Sequence, residues 1–197
     1  MRHHAKSERL TRALARCEKH AVAWAGVVYR SASIRFANRD DLLTGAGSKS
    51  AGARWNPPGS VATVYTSHDI QTAVAEALAP HRYYGFAIET ALPRVLVSIQ
   101  VRLQRVLKLT DPKVRRILRV TRDQLLGEDW RAYNRIGEEA LTQAIGRLAW
   151  DAEWEGLEVP SAAAPVGVNL IVFPGNLLYP QSYLLVINRD QLPPRLQ

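Results

Sequence analysis

A loop rich in glycine and proline, at residues 52–59 (GARWNPPG), is the feature that most restricts how this chain folds. Glycine and proline at this density interrupt regular structure, so a turn must separate the segments on either side. The loop carries Arg54 and Trp55, an apolar segment with Tyr65 follows, and Glu76 comes shortly after. Binding groups tend to lie on loops held between rigid elements. One cation, two aromatic rings and one acid, close in sequence, favour an anionic ligand with a charge-sensitive reacting centre.

The composition is typical of one globular domain. A chain of 197 residues with 47% hydrophobic and 22% charged residues is long enough to bury a sizeable core. Cys17 is the single cysteine, so an intrachain disulfide is impossible and a reducing compartment is favoured. No apolar run approaches the roughly 20 residues that span a bilayer, and the N-terminus lacks the apolar stretch of a signal peptide. We therefore expect a cytoplasmic protein with no membrane association.

Hydrophobic periodicity predicts helices and strands without a regular βαβ repeat, which favours the α+β class. Helices are expected over residues 7–25, 69–79, 112–119 and 134–154, and strands over 27–30, 61–66, 95–101, 106–109, 157–159, 168–173 and 183–187. Asp69 and Asp111 are the expected N-caps of the second and third helices, and Pro80 is expected to end the second. The fourth helix is predicted to be the longest, with Ile136 on its apolar face.

Several common motifs are absent. Residues 45–50 (GAGSKS) resemble a phosphate-binding loop, but Ser48 stands where glycine precedes the lysine, and no buried strand comes before it. No glycine fingerprint of a dinucleotide fold follows a predicted strand. Ser161 lacks the flanking glycines of a nucleophile elbow. The histidines have no metal-ligand spacing with nearby acids, so we expect no metal site among His3, His4, His20, His68 and His81.

Positive charge is concentrated in one segment of a chain whose formal net charge is +8 and whose pI is about 10. Residues 102–122 contain many arginines and lysines and one acid, Asp111. The segment lacks the interleaved aromatic residues of single-strand binders and any helix-turn-helix pattern, which makes direct nucleic-acid binding the weakest of the functional hypotheses. Two interpretations stay open: a solvated basic face, or a surface that steers an acidic partner.

Four separated segments together resemble a known family. They are Tyr29-Arg30, the loop GARWNP at 52–57, Tyr65 followed by Glu76, and LEVPSA at 157–162 with Asn169. In this order they resemble the RES-domain toxins of bacterial toxin–antitoxin systems, over roughly residues 26–175. The resemblance implies a fold related to the ADP-ribosyltransferases (diphtheria-toxin-like), with residues 1–197 as one domain that adds an N-terminal helix over about 7–25 and a short C-terminal tail.

The resemblance also implies an activity. Family members cleave the nicotinamide–ribose bond of NAD+, with water or phosphate as acceptor, while others transfer ADP-ribose to a protein. It implies NAD+ as substrate with no further cofactor, a helical antitoxin carrying an Xre-like DNA-binding domain as partner, and dimers of the toxin. The alternatives to an NAD+-degrading toxin are a mono-ADP-ribosyltransferase and a non-catalytic nucleic-acid binder.

The residue chemistry is consistent with that expectation. Glu76 is a lone acid among apolar neighbours, and one carboxylate can stabilise the positive ribose carbon left by a cationic leaving group. Glu76, Arg54 and Ser161 are the predicted catalytic residues. Ser161 is predicted to bond a ribose hydroxyl or to orient Glu76, and as a turn serine it can also bond its own backbone.

Further residues are expected to contact NAD+. Guanidinium groups match phosphate oxygens, so Arg30 and Arg54 suit the pyrophosphate. Tyr29 and Tyr65 can stack on nicotinamide or bond to ribose. Trp55 is expected either to wall the pocket or to belong to the core, and Asn169 either to contact the substrate or to tie loops together.

Overall fold

The computed structural model describes residues 1–38, 41–187 and 189–193, and its irregular alternation of helices and strands confirms the α+β class. The helices are α1 (Ser7–Arg16), α2 (Ala46–Ala51), α3 (Ile70–Tyr84), α4 (Pro112–Leu118), α5 (Arg122–Gly127), α6 (Trp130–Arg135) and α7 (Leu141–Asp151). The strands are β1 (Val22–Ser33), β2 (Val64–Ser67), β3 (Arg94–Lys108), β4 (Gly156–Pro160), β5 (Val168–Val172) and β6 (Tyr183–Val186). Most of the expected C-terminal tail, from residue 194 on, lies outside the described residues.

Strand β3 organises the sheet because its 15 residues are long enough for three neighbours. It pairs antiparallel with β1 along most of its length, while β6 and then β4 occupy its other edge. Strand β4 continues to β5, β5 to β2, and β2 returns to β1, so five strands form a closed circuit. The circuit closes at the pair Tyr29–Ser67, which fixes the Tyr29-Arg30 segment beside the end of β2.

Two apolar cores stabilise this arrangement. One is enclosed by the strands and includes Val28, Ile99 and Leu170. The other lies between the sheet and the helices, and it contains Leu10 and Leu14 of α1. Burial of such side chains is the main favourable contribution to folding. Strands β2, β4 and β5 separate the two cores and therefore hold their ends in fixed positions.

The predicted helix caps are confirmed. The Asp69 carboxylate accepts a hydrogen bond from the Thr72 backbone N–H at 2.7 Å, and Asp111 accepts one from Lys113 at 2.8 Å. These bonds satisfy backbone donors that have no partner within the first helical turn. The capping bond lowers the pKa of Asp69. Asp69 thus sets where α3 begins, and with it the position of Glu76.

The N-terminal helix is shorter than predicted. Leu10, Leu14 and Cys17 are buried at helical spacing as expected, but α1 ends at Arg16 and β1 already begins at Val22. The short strand predicted over 27–30 is therefore the middle of a 12-residue strand. Likewise, the segments predicted over 95–101 and 106–109 are one strand, β3. Long antiparallel pairing of β1 with β3 outweighs the weak helical pattern beyond Cys17.

Pro80 does not end α3, contrary to the sequence prediction. The helix continues to Tyr84 and stops at Gly85, where φ is +69°. A proline removes one backbone hydrogen bond and strains the preceding turn, but the remaining bonds of a helix that packs against its neighbours can offset that cost. The continuation matters because it extends the face that carries Glu76 by another turn.

The prediction of one continuous helix over residues 134–154 is also wrong. The chain forms α6, leaves helical geometry at Gly137 with φ +73°, and begins α7 at Leu141. Ile136, predicted to be on the apolar stripe, is 69% exposed. The Glu128 carboxylate accepts the backbone N–H groups of Leu141 and Thr142 at 2.7 and 2.8 Å, and this cap starts the new helix.

Helix α7 packs directly against the loop that carries Arg54, and we predict that Gly146→Ala disrupts this contact. A methyl group at Gly146 would overlap the carbonyl oxygen of Trp55. We expect a loss of about 2 kcal/mol or more in the free energy of unfolding, because neither backbone can move without disturbing the core. Denaturant unfolding measures the change.

Gly47→Ala is the matched control, since Gly47 is also helical and has nothing within 4 Å of the added methyl group. Alanine is the better helix former, so this control should be neutral or slightly stabilising. Equal stability of both variants would contradict the contact between α7 and the loop.

Candidate active site

Glu76 is held from one side by two hydrogen bonds to the same carboxylate oxygen. Its Oε1 accepts the hydroxyl of Ser161 at 2.6 Å and the side-chain amide of Asn169 at 2.7 Å. Its Oε2 accepts no hydrogen bond from the described residues. Such an arrangement fixes the orientation of the carboxylate and leaves one oxygen for a ligand.

Ser161 lies immediately after β4 and is 2% exposed. Its Oγ accepts the backbone N–H groups of Ala163 and Ala164 at 3.1 and 3.0 Å, so its own proton is directed to Glu76. Ser161 is thus a turn serine whose hydroxyl also contacts Glu76, and its predicted role in orienting that carboxylate stays a prediction. In that role it would act on the carboxylate from behind, as a positioning residue.

Asn169 continues the same network on β5. Its Oδ1 accepts the Ser67 hydroxyl at 2.7 Å, while its Nδ2 donates to Glu76. Strand β2 thus supports β5, and β5 supports the carboxylate on α3. Asn169 also lines the pocket described below, so it ties elements together and faces ligand space.

Arg54 lies on the loop 52–59 and lines the same pocket as Glu76, described below. One of its terminal nitrogens donates to the carbonyls of Leu125 and Glu128 at 3.1 and 3.0 Å. The other nitrogens of this guanidinium have no acceptor among the described residues. Burial lowers the pKa of Arg54, and the negative charges of Glu76 and Glu128 oppose that shift. The group stays protonated, because arginine titrates far above neutral pH.

The loop that presents Arg54 is anchored by Tyr65. The Tyr65 hydroxyl accepts the backbone N–H of Trp55 at 2.9 Å and donates to the Asn56 side chain at 2.8 Å. Burial raises the pKa of this phenol. Since its hydroxyl is engaged with the loop, Tyr65 offers its ring, rather than its oxygen, to a ligand.

Arg30 is a cation without a counter-ion in the described part of the chain. One terminal nitrogen donates to the carbonyl of Tyr65 at 3.0 Å, and its buried Nε has no hydrogen-bond partner. Burial lowers its pKa, and the charge of Arg94 adds to that effect. A buried arginine without a carboxylate partner is costly, so the geometry suits an anionic ligand that supplies the missing charge.

These groups meet in a pocket of about 390 Å³. Tyr29, Arg30, Arg54, Tyr65, Glu76 and Asn169 line it, as the sequence predicted, and Ser161 stands directly behind Glu76. Trp55 is 2% exposed and serves both expected roles, because it belongs to the helix-side core and also forms part of the pocket wall. All the site residues that the sequence indicated therefore line the pocket, except Ser161, which contacts it through Glu76.

Sequence reasoning missed three residues at the pocket: Tyr83, Trp130 and Arg131. Tyr83 follows Glu76 by seven residues, which puts both on one face of a helix that continues past Pro80. Trp130 and Arg131 form an aromatic–cation pair at the start of α6. A signal for these two existed in the dipeptide itself, but no pattern connected it with residues 52–76.

The match to a family model gives the classification. Residues 27–182 match the model of the RES domain. The chain belongs to the RES domain family. Among curated proteins, the NAD(+) phosphorylase MbcT of Mycobacterium tuberculosis and that of Mycobacterium bovis are each 30% identical to it over 153 residues. The alignment covers 77% of this chain and 74% of each relative.

The fold agrees with that classification. The solved structure of the M. tuberculosis MbcT–MbcA toxin–antitoxin complex contains a chain that superposes with a TM-score of 0.70 at 24% identity, covering 91% of this chain and 90% of the other. The expected α+β class is confirmed, and this chain shares its fold with the solved MbcT–MbcA complex chain.

In the described residues, no group of three or more histidine, cysteine, aspartate or glutamate side chains is arranged to hold a metal ion. None of the helices within residues 1–38, 41–187 and 189–193 is both long and apolar enough to cross a membrane.

We predict that Tyr65→Phe loosens the Arg54 loop. The variant keeps the ring but removes the oxygen that accepts the Trp55 N–H, leaving a buried donor without its partner. Such a loss costs about 1–3 kcal/mol, which thermal or denaturant unfolding will measure.

Tyr29→Phe is the control, because the Tyr29 hydroxyl makes no hydrogen bond to the described residues. We expect it to unfold like the original protein. If Tyr65→Phe is equally stable, the phenol does not anchor the loop.

Proposed function

We propose that this chain cleaves the nicotinamide–ribose bond of NAD+ and acts as the toxin of a toxin–antitoxin pair. The observation that carries the proposal is Glu76, a carboxylate with one oxygen fixed by Ser161 and Asn169 in a pocket that also presents the cations of Arg30 and Arg54. NAD+ requires both features: stabilisation of a positive ribose carbon, and binding of a pyrophosphate. The curated relatives that are named NAD(+) phosphorylases support it.

The chemistry follows from the charge of the leaving group. When the bond between the ribose C1′ and the nicotinamide nitrogen breaks, both electrons go to nicotinamide, which leaves neutral and needs no proton. Positive charge develops at C1′ and on the ring oxygen, as in glycoside cleavage. The fixed negative charge of Glu76 stabilises that transition state more than the ground state, and this difference is what accelerates a reaction.

Inorganic phosphate is the proposed acceptor. Its oxygen attacks C1′ as nicotinamide departs, giving ADP-ribose 1″-phosphate, and the reaction needs no cofactor beyond the substrate. The MbcT relatives are named as phosphorylases, which favours phosphate over water. The ribose cation at C1′ would also react with a protein side chain that reached it, which is the ADP-ribosyltransferase alternative. No feature of the pocket indicates a bound polypeptide.

The proposed partner is a cognate antitoxin, since the superposed chain comes from a toxin–antitoxin complex. Three further points are part of this proposal. The antitoxin carries an Xre-like domain, two toxin chains pair with each other, and the toxin acts in the cytoplasm, where NAD+ is available.

The nucleic-acid alternative has little support from the basic segment 102–122. Arg105 pairs with Glu18, and Lys108 lies 3.3 Å from the Glu158 carboxylate. One nitrogen of Arg115 donates to the carbonyls of Leu109 and Thr110 at 2.7 and 2.8 Å. Cations that are used within the fold contribute less to binding a phosphate backbone.

We predict that Glu76→Gln lowers nicotinamide release by at least about a hundredfold while the protein stays folded. The amide keeps the size of the side chain and its contacts with Ser161 and Asn169, but it removes the charge that stabilises the ribose cation. Nicotinamide release from NAD+ is measured by chromatography, with and without phosphate.

Glu89→Gln is the control, because Glu89 is an exposed acid outside the pocket. It should retain full activity. Phosphate should increase the rate for the original protein and produce ADP-ribose 1″-phosphate. A folded Glu76→Gln protein with normal activity would overturn the proposed mechanism. If the rate and the product are the same with and without phosphate, phosphate is not the acceptor.

A further inference from the structure

The pocket extends well beyond Glu76 along α3. Glu76, Ala79, Pro80 and Tyr83 all line it. Their spacing places them on one face of the helix. Seven residues separate Glu76 from Tyr83, which corresponds to about 10 Å along the helix axis. The small side chains between them leave an open floor, so a long ligand can reach both ends.

The far end of this floor consists of two aromatic rings and an arginine. The guanidinium of Arg131 lies 4.3 Å from the centre of the Trp130 ring and 4.7 Å from that of Tyr83. We name Tyr83, Trp130 and Arg131 the distal cluster. Asp129 holds it in place, because its carboxylate accepts the Tyr83 hydroxyl at 2.9 Å and caps α6 through the N–H of Ala132 at 3.1 Å.

Arg131 has unused binding capacity. Its side chain makes neither an ion pair nor a hydrogen bond with the residues that the structure describes. Arg54 lines the same pocket as Glu76 and Arg131. The pocket therefore combines the acid of Glu76 with the cation of Arg54 and with a second cation, Arg131, held between aromatic rings.

We propose that the distal cluster binds the adenine base of NAD+, with Arg54 at the pyrophosphate. This inference rests on the proposed function, which fixes the nicotinamide ribose at Glu76. The pyrophosphate then extends along the floor past Arg54, and the second base reaches the cluster. A purine stacks on aromatic rings and on the plane of a guanidinium, as nucleic-acid bases do in proteins.

The charge of the cluster selects between the two ends of the substrate. The nicotinamide ring of NAD+ is cationic and is repelled by Arg131. Adenine is neutral, so Arg131 does not repel it. The cluster thus favours the orientation that brings the reacting bond to Glu76, and it discriminates NAD+ from nicotinamide mononucleotide, which has the same reacting bond but no adenosine.

The test compares binding of the two halves of the substrate. AMP and nicotinamide mononucleotide are titrated calorimetrically into the original protein and into the Trp130→Ala and Arg131→Gln variants. We expect AMP to bind, and each substitution to weaken AMP about tenfold. Nicotinamide mononucleotide should bind with unchanged affinity. In turnover, KM for NAD+ should rise by a similar factor, with kcat reduced much less.

Tyr133→Ala is the matched control, since Tyr133 is an aromatic residue of the same helix outside the pocket. It should leave AMP affinity unchanged, and thermal unfolding confirms that all variants are folded. The proposal is overturned if AMP does not bind, if the two variants leave AMP affinity unchanged, or if they weaken both halves equally. Calorimetry needs no catalysis, so a protein that binds AMP at the cluster but leaves NAD+ intact would overturn the proposed function alone.

Discussion

The two hydrogen bonds that converge on one oxygen of Glu76 are the interaction on which the rest of the site depends. They join α3 to the turn after β4, through Ser161, and to β5, through Asn169. Ser161 is itself fixed by two backbone N–H groups, and Asn169 by Ser67 of β2. A helical side chain is thereby held by the rigid sheet. Such preorganisation lets a single charge act at the transition state without reorganising first.

Arg30 and Arg54 are also positioned by hydrogen bonds to rigid parts of the fold. Arg30 and Arg54 each use one nitrogen to bind backbone carbonyls, which fixes the guanidinium and leaves other donors without protein acceptors in the described residues. Tyr65 supports both, since its carbonyl accepts from Arg30 and its hydroxyl holds the loop of Arg54. The fold thus brings two cations into one pocket without an ion pair to either among the described residues, and under the proposed function the pyrophosphate of NAD+ would supply the compensating charge.

Local chemistry made some helix starts and most of the pocket residues predictable from the sequence. A short polar residue before a helix, such as Asp69 or Asp111, caps it in most contexts, and the motif around Arg54 and Glu76 identified the pocket. The errors arose where tertiary contacts override local preference. Helix α3 continues past Pro80, and a cap from Glu128 divides the predicted helix over 134–154. The distal cluster was missed for the same reason, because only the extended α3 brings Tyr83 to α6.

In the proposed mechanism, Glu76 stabilises a ribose cation that forms as nicotinamide leaves. The most direct measurement is the hydrogen isotope effect at C1′ of the nicotinamide ribose, determined on kcat/KM by competition between labelled and unlabelled NAD+. Performing it also with the slower Ser161→Ala variant ensures that bond cleavage limits the rate. We expect a clear normal effect, in which the heavier isotope reacts more slowly, because C1′ loses bond order and becomes planar. An effect of unity in the slowed variant would contradict a cationic transition state.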